Sequence, residues 1–158
     1  MVDALTEYQK KLRKIGAVGN YTKEENLHLT LAFVGEYGNP DEVLDAMKQV
    51  EFEPFEIRLD GIGNFGDLLW AGVTGEEQLT AVARRLRHEL AEAGIPFDKK
   101  KFRPHVTLIR QVSYRTEQKL PKEPLRAEGM TVKRISLMKS ERGKNGMVYT
   151  EIGAVECE

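Results

Sequence analysis

The sequence has one cysteine, no long apolar run and no signal-peptide pattern at its N-terminus. Because Cys157 is the only cysteine among 158 residues, neither an internal disulfide nor a cysteine-based metal cluster can form. No apolar stretch reaches the roughly 20 residues that a membrane-spanning helix needs. We therefore expect a cytoplasmic protein that has no membrane partner.

An excess of charge of either sign is also missing. Lys and Arg number 24 and Asp and Glu number 25, which gives a formal net charge of −1. This balance excludes a global attraction to nucleic acid, so any such contact must be local. Hydrophobic residues make up 41% and charged residues 31%, which is typical of a globular protein. The length suits one domain, possibly of two small lobes, and we expect a monomer.

What the sequence does contain is one four-residue pattern that occurs twice. The runs are His28-Leu29-Thr30-Leu31 and His105-Val106-Thr107-Leu108. In a strand, each His would share one face with its Thr, about 6.8 Å away along the strand, while the apolar residues turn to the other face. Two adjacent strands of this kind would present two imidazoles and two hydroxyls to one groove.

Hydrophobic periodicity and turn residues predict three helices and six strands around these motifs. We expect helices at 3–15, 40–50 (capped by Asn39) and about 76–93, and strands at 27–35, 55–61, 68–73, 105–111, 130–139 and 147–155. The order indicates an α+β, bilobal duplicated fold over residues 1–158. Two pseudo-symmetric lobes would each hold a mostly antiparallel sheet backed by helices, with the active site in the cleft between them.

Paired histidines of this kind suit phosphodiester chemistry. The unperturbed pKa of histidine, near 6.5, lets one ring be neutral and take a proton while the other is charged and gives one. Thr30 and Thr107 could donate hydrogen bonds to phosphate oxygens. Either motif alone is more typical of a polar strand surface, but the pair favours a shared site. His88 is expected on the solvent side of its helix.

The runs Asn26–Glu36 and Arg103–Arg110 resemble the signature motifs of the two-histidine phosphoesterase superfamily. Within it the chain most resembles the LigT-like RNA 2′,3′-cyclic phosphodiesterases, also called the 2′-5′ RNA ligase family. The resemblance implies hydrolysis of a terminal 2′,3′-cyclic phosphate to a 2′-phosphate, without a metal or other cofactor. It assigns catalysis to His28 and His105, and substrate binding to Thr30, Thr107 and Arg110.

Two features depart from that family. Its members usually open with a short apolar strand, whereas Met1-Val2-Asp3 leads directly into the first helix, so we expect that strand to be missing. The second concerns Arg110, which strict alternation would place on the face of Val106 and Leu108, away from His105. A bulge or the end of the strand would have to redirect it.

Three alternatives stay open at this point. The substrate could be a small cyclic phosphate derived from a nucleotide or ADP-ribose, and the chain could instead be a non-catalytic module that binds RNA ends. Two histidines without a third ligand make a metal hydrolase less favoured. The run Lys99-Lys100-Lys101, with Arg103, is either a contact surface for RNA phosphates or an ordinary solvated loop.

Overall fold

The computed structural model describes residues 1–157, and these residues form three helices and seven strands. The helices are α1 (Val2–Lys14), α2 (Pro40–Lys48) and α3 (Glu76–Glu92), and the strands are β1 (Ala17–Tyr21), β2 (Phe55–Phe65), β3 (Leu68–Val73), β4 (Val106–Tyr114), β5 (Gly129–Val132), β6 (Arg134–Gly143) and β7 (Gly146–Glu156). The α+β class predicted from the sequence is confirmed. None of the helices in this part of the chain is long and apolar enough to span a bilayer.

The chain divides into two compact units, each assembled from three segments. The first unit contains residues 1–30, 56–75 and 104–130, and the second contains 31–55, 76–103 and the chain from Thr131 onward. His28 and His105 both belong to the first unit. The pseudo-symmetry of two lobes, and a site in a cleft between them, stay predictions.

A five-stranded sheet, in the order β1-β4-β3-β2-β5, forms the centre of the first unit. The pairs β1–β4, β4–β3 and β3–β2 are antiparallel. Helix α1 contributes an apolar stripe to the core of this unit, as its 3.6-residue periodicity predicts. The buried members of that core are Ala4, Leu5, Tyr8, Leu12, Ala17, Leu59, Leu69, Ala71, Val106, Leu108 and Ile109.

The second unit has its own core between α2, α3 and the antiparallel pair β6–β7. The side chain of Asn39 accepts a hydrogen bond from the backbone of Asp41 and so caps α2, as predicted. The predicted helix at about 76–93 is confirmed as α3, whose apolar residues are buried at helical spacing, and His88 is exposed, also as predicted. The buried residues of this core are Val43, Ala46, Met47, Val50, Phe52, Val82, Leu86, Leu90, Ile95 and Ile135.

The prediction of a strand over residues 27–35 is wrong. A 3₁₀ turn, Glu24–Asn26, precedes this segment, and Leu29 alone of its residues forms a bridge, to Val106. The apolar residues alternate because they serve two cores: Leu27 and Leu29 pack on the first core, and Leu31, Ala32 and Val34 pack on the second. Periodicity reports which residues are buried, but it does not report whether they are buried in the same place.

Strand β2 extends beyond residue 61, where the sequence predicted it to end, and includes most of the segment between the two predicted strands. β2 continues through Gly61, where a register shift between Leu59 and Ile62 forms a bulge and φ is +72°. Glycine adopts this conformation without the steric cost that a side chain would meet. The turn to β3 is left with Gly66 and Asp67.

Candidate active site

One backbone bridge sets the register of the two histidine motifs. Leu29 pairs with Val106 in the antiparallel sense, and both residues pack on the core of the first unit. Strand alternation on either side of this bridge would turn their neighbours to the opposite face, with His28 across from Thr107 and Thr30 across from His105. Side chains directly opposite one another have Cβ atoms about 5 Å apart, and diagonal pairs are about 7–8 Å apart. In this register the four predicted side chains would form the corners of a square, with the histidines on one diagonal.

The ring of His28 is oriented by the 3₁₀ turn that precedes it. Its Nδ1 is 2.6 Å from the carbonyl oxygen of Asn26, a buried residue whose own N–H donates to the carbonyl of Lys23. Because a carbonyl oxygen only accepts, Nδ1 must carry the hydrogen in this contact. The neutral ring therefore has its lone pair on Nε2, which is the atom that can take a proton.

Aromatic side chains pack against the ring of His105. His105 is half-buried and immediately precedes β4. The ring of Phe65 meets it edge to face at 5.2 Å, and the indole of Trp70 lies 6.1 Å away at 55°. Trp70 is also the ladder partner of Thr107 across β3 and β4, so the aromatic pair adjoins two corners of the square.

A β-bulge in β4 decides where Arg110 lies. Trp70 pairs with Thr107, but the next residue of β3, Leu69, pairs with Ile109. The extra residue, Leu108, resets the alternation, and both Leu108 and Ile109 are fully buried. Arg110 is therefore exposed on the face of Thr107, and the placement expected from strict alternation is wrong.

The bulge is held in place by a buried glutamine. Nε2 of Gln9, on α1, donates to the carbonyl oxygens of Thr22 and Leu108, each at 2.9 Å. The N–H of Thr22 donates to the same carbonyl of Leu108. Gln9 is 3% exposed, so its amide satisfies backbone groups that water would not reach easily.

Sequence reasoning missed Phe65, Trp70, Asn26 and Gln9. Three of them lie far from the motifs in sequence, and their roles depend on contacts made only in the folded chain. The position of Trp70 could have been predicted from the sequence. Trp70 alternates with the buried Leu69 and Ala71 along β3, so its side chain is expected on the other, polar face of the sheet. The basic run 99–101 is exposed and belongs to the second unit.

Within residues 1–157, no three His, Cys, Asp or Glu side chains are grouped as ligands of a metal ion would be.

A family model described as the 2′-5′ RNA ligase superfamily matches residues 2–144. The chain therefore belongs to the 2′-5′ RNA ligase superfamily, which confirms the family predicted from the two motifs.

Relatives and solved structures agree with this assignment. The RNA 2′,3′-cyclic phosphodiesterase of Aquifex aeolicus is 30% identical over 168 residues, covering 96% of this chain and 88% of the relative. The protein of that name from Aeropyrum pernix is 33% identical, over 70% of this chain and 67% of its own length. The structure of TT0787 from Thermus thermophilus has a TM-score of 0.80 at 29% identity, covering 98% of this chain and 90% of that one. Escherichia coli LigT complexed with 3′-AMP shares the fold, with a TM-score of 0.81 at 23% identity, covering 99% and 92%.

Proposed function

We propose that the protein hydrolyses the terminal 2′,3′-cyclic phosphate of RNA to a 2′-phosphate, with His28 and His105 as general base and general acid and without a metal or other cofactor. The observation that supports the proposal is the bridge between Leu29 and Val106, from which strand alternation would put the two histidines on one diagonal of a square and the two threonines on the other. The names of the curated relatives support the same activity.

The diagonal arrangement suits an in-line displacement at phosphorus. A phosphate centred between the four side chains would have one histidine on the side of the attacking water and the other on the side of the leaving oxygen. One imidazole takes a proton as the water oxygen bonds to phosphorus, and the other gives a proton to the ribose 3′-oxygen as the P–O3′ bond breaks. The product carries a 2′-phosphate and a free 3′-hydroxyl.

The remaining polar groups would stabilise the phosphate oxygens. Thr30 and Thr107 can each donate a hydroxyl hydrogen to a non-bridging oxygen, where negative charge redistributes during the reaction. Arg110 lies on the same face and could bind the phosphate with two N–H groups. The basic run 99–101, which ends four residues before His105 in the sequence, would attract the RNA backbone without reading its bases.

Product analysis tests the proposal directly. Purified protein with excess chelator is incubated with an oligoribonucleotide ending in a 2′,3′-cyclic phosphate, and the product is identified by ³¹P NMR. We expect a 2′-phosphate. Turnover only with a divalent ion would contradict the metal-free mechanism, and tight binding without turnover would favour the RNA-end binding module. Equal or better turnover of a cyclic mononucleotide would favour a small cyclic phosphate as the substrate, as the solved complexes of Escherichia coli LigT with 3′-AMP and NADP⁺ would also suggest.

A further inference from the structure

We infer that Trp70, backed by Phe65, is a positioning residue that fixes the plane of the His105 ring for proton transfer. The inference rests on the proposed function, because it names the residues through which one of the two histidines acts. The three rings contact one another in turn: His105 meets Phe65 at 5.2 Å and Trp70 at 6.1 Å, and Phe65 meets Trp70 at 5.2 Å. An imidazole enclosed by two rings has few orientations open to it.

The indole of Trp70 packs against a glycine of strand β2. Gly63 is the ladder partner of Trp70, and a Cβ atom on Gly63 would lie 2.2–2.7 Å from Cζ2, Cη2 and Cε2 of the indole. Real Cβ atoms do not approach carbon so closely, so any side chain at position 63 would displace the ring. The indole therefore packs directly on the backbone of β2 and contacts Phe65. It cannot turn away from His105 without losing its packing on Gly63.

Apolar packing alone does not account for a tryptophan at position 70. Its Nε1–H is buried and has no hydrogen-bond acceptor among the described residues, which costs free energy that phenylalanine or leucine would not incur. The side chain also lies on the face of Thr107, opposite the core that Leu69 and Ala71 enter. The contact with His105 on that face explains why a large planar ring occurs at position 70.

Substitution at position 70 should change kcat much more than KM. We expect Trp70→Leu to lower kcat for a 2′,3′-cyclic phosphate by about 10- to 100-fold, because a small misplacement of a catalytic group costs up to this much. KM should change by less than about threefold, since the ring does not hold phosphate. Trp70→Phe, which keeps a ring and loses the N–H, should restore most of the rate. In a His105→Ala background Trp70→Leu should cause no further loss, because the two residues act through one step.

Phe52→Leu is the matched control. Phe52 makes a similar edge contact, at 6.3 Å and 71°, with Phe55, and both lie outside the histidine motifs. This variant should lose stability without losing kcat. Two outcomes would overturn the positioning role. One is that Trp70→Leu, like Phe52→Leu, lowers stability without lowering kcat. The other is that Trp70→Leu lowers kcat by the same factor when His105 is alanine.

A second measurement does not need turnover. Trp70 is the sole tryptophan, so intrinsic fluorescence reports on this position alone. Because the imidazole of His105 adjoins the indole, His105→Gln should change the emission intensity of Trp70 at constant pH, and His28→Ala should leave it unchanged. Equal emission in His105→Gln and the parent protein, or an equal change in His28→Ala, overturns the contact. If the change follows His105 in a protein that hydrolyses no cyclic phosphate, the proposed function fails and the contact stands.

Discussion

The two His-x-Thr-Leu segments share a sequence pattern but differ in nearly every structural respect. The first is irregular, joined to the sheet by the single bridge at Leu29, and its histidine is exposed. The second continues into the nine-residue strand β4, which is paired on both sides, and its histidine is half-buried. A short hydrogen bond to a neighbouring carbonyl orients His28, and rings from two other strands pack against His105.

This difference shows that the pattern encodes a register rather than a strand. From one antiparallel bridge, strand alternation on either side would put His and Thr of both motifs on a common face. The two rings also differ in where their described contacts come from. The contact of His28 comes from the preceding turn, and the ring contacts of His105 come from β2 and β3.

The largest effect should come from removing either imidazole. We expect His28→Ala and His105→Ala each to lower the rate by about 10²- to 10⁴-fold and to remove opposite limbs of a bell-shaped pH profile. Binding should change much less. The measurement is the pH dependence of kcat/KM, with His88→Ala, on the exposed face of α3, as the control. If His88→Ala proves as damaging as either motif variant, the pair has been chosen wrongly.

Loss of the Thr30 hydroxyl, in the irregular segment, and loss of the Thr107 hydroxyl, in β4, should lower kcat to different extents. Thr30→Val and Thr107→Val keep the shape of the side chain and remove the hydroxyl, so kcat should fall by up to roughly 10²-fold. Because Thr107 belongs to β4 and pairs with Trp70 of β3, we expect the larger loss there, where the donor is better preorganised. Thr150→Val, at an exposed position of β7, should leave kcat unchanged. A larger loss at Thr30 would mean that the irregular segment becomes ordered around the substrate.

Gln9→Leu tests whether the bulge in β4 is needed for the site. The carbonyl of Thr22 would lose its amide donor and that of Leu108 one of its two donors, at a cost of about 1–3 kcal/mol in the free energy of unfolding. If the bulge relaxes, Arg110 no longer lies on the face of Thr107. KM should then rise, and we expect the same rise in Arg110→Ala. The measurements are urea denaturation and steady-state kinetics. The control is Gln118→Leu, an exposed glutamine bonded only to its own turn in the contacts described. Additive effects of Gln9→Leu and Arg110→Ala on KM would show that the two residues are not linked.

The smallest effect should come from the basic run. The shape of this loop depends on backbone contacts, in which Arg87 donates to the carbonyl of Lys100 and the N–H of Lys100 donates to Asp98. Replacing Lys99, Lys100 and Lys101 with glutamine should therefore remove charge and leave the loop in place. KM for an RNA oligomer should rise roughly three- to tenfold at low salt, with a flatter salt dependence, and KM for a cyclic mononucleotide should not change.

The matched control removes three charges elsewhere, at the exposed Lys10, Lys14 and Lys133. An equal effect from this control would mean that total charge, rather than the run 99–101, attracts RNA. An unchanged ratio of RNA to mononucleotide turnover in the triple variant would instead favour a small substrate.

The helices followed from the sequence, and candidate site residues could be named from it, because the determinants of both are local. A cap at Asn39, a glycine after α1 and a 3.6-residue stripe on α3 are each contained within a few turns of chain. The repeated motif was recognisable for the same reason. Strand β1 was missed because Ala17–Tyr21 has no apolar alternation, and it becomes a strand by pairing with the edge of β4.

Sequence by itself determined that two histidines and two threonines occur in matching positions, and this was enough to predict the superfamily. Tertiary structure alone decided which of their neighbours matter. The bulge that turns Arg110 toward Thr107, the amide of Gln9 that holds this bulge, and the indole seated on Gly63 all join residues from separate segments. Such contacts depend on how strands are registered against one another, and register is a property of the assembled sheet that no short run of residues encodes.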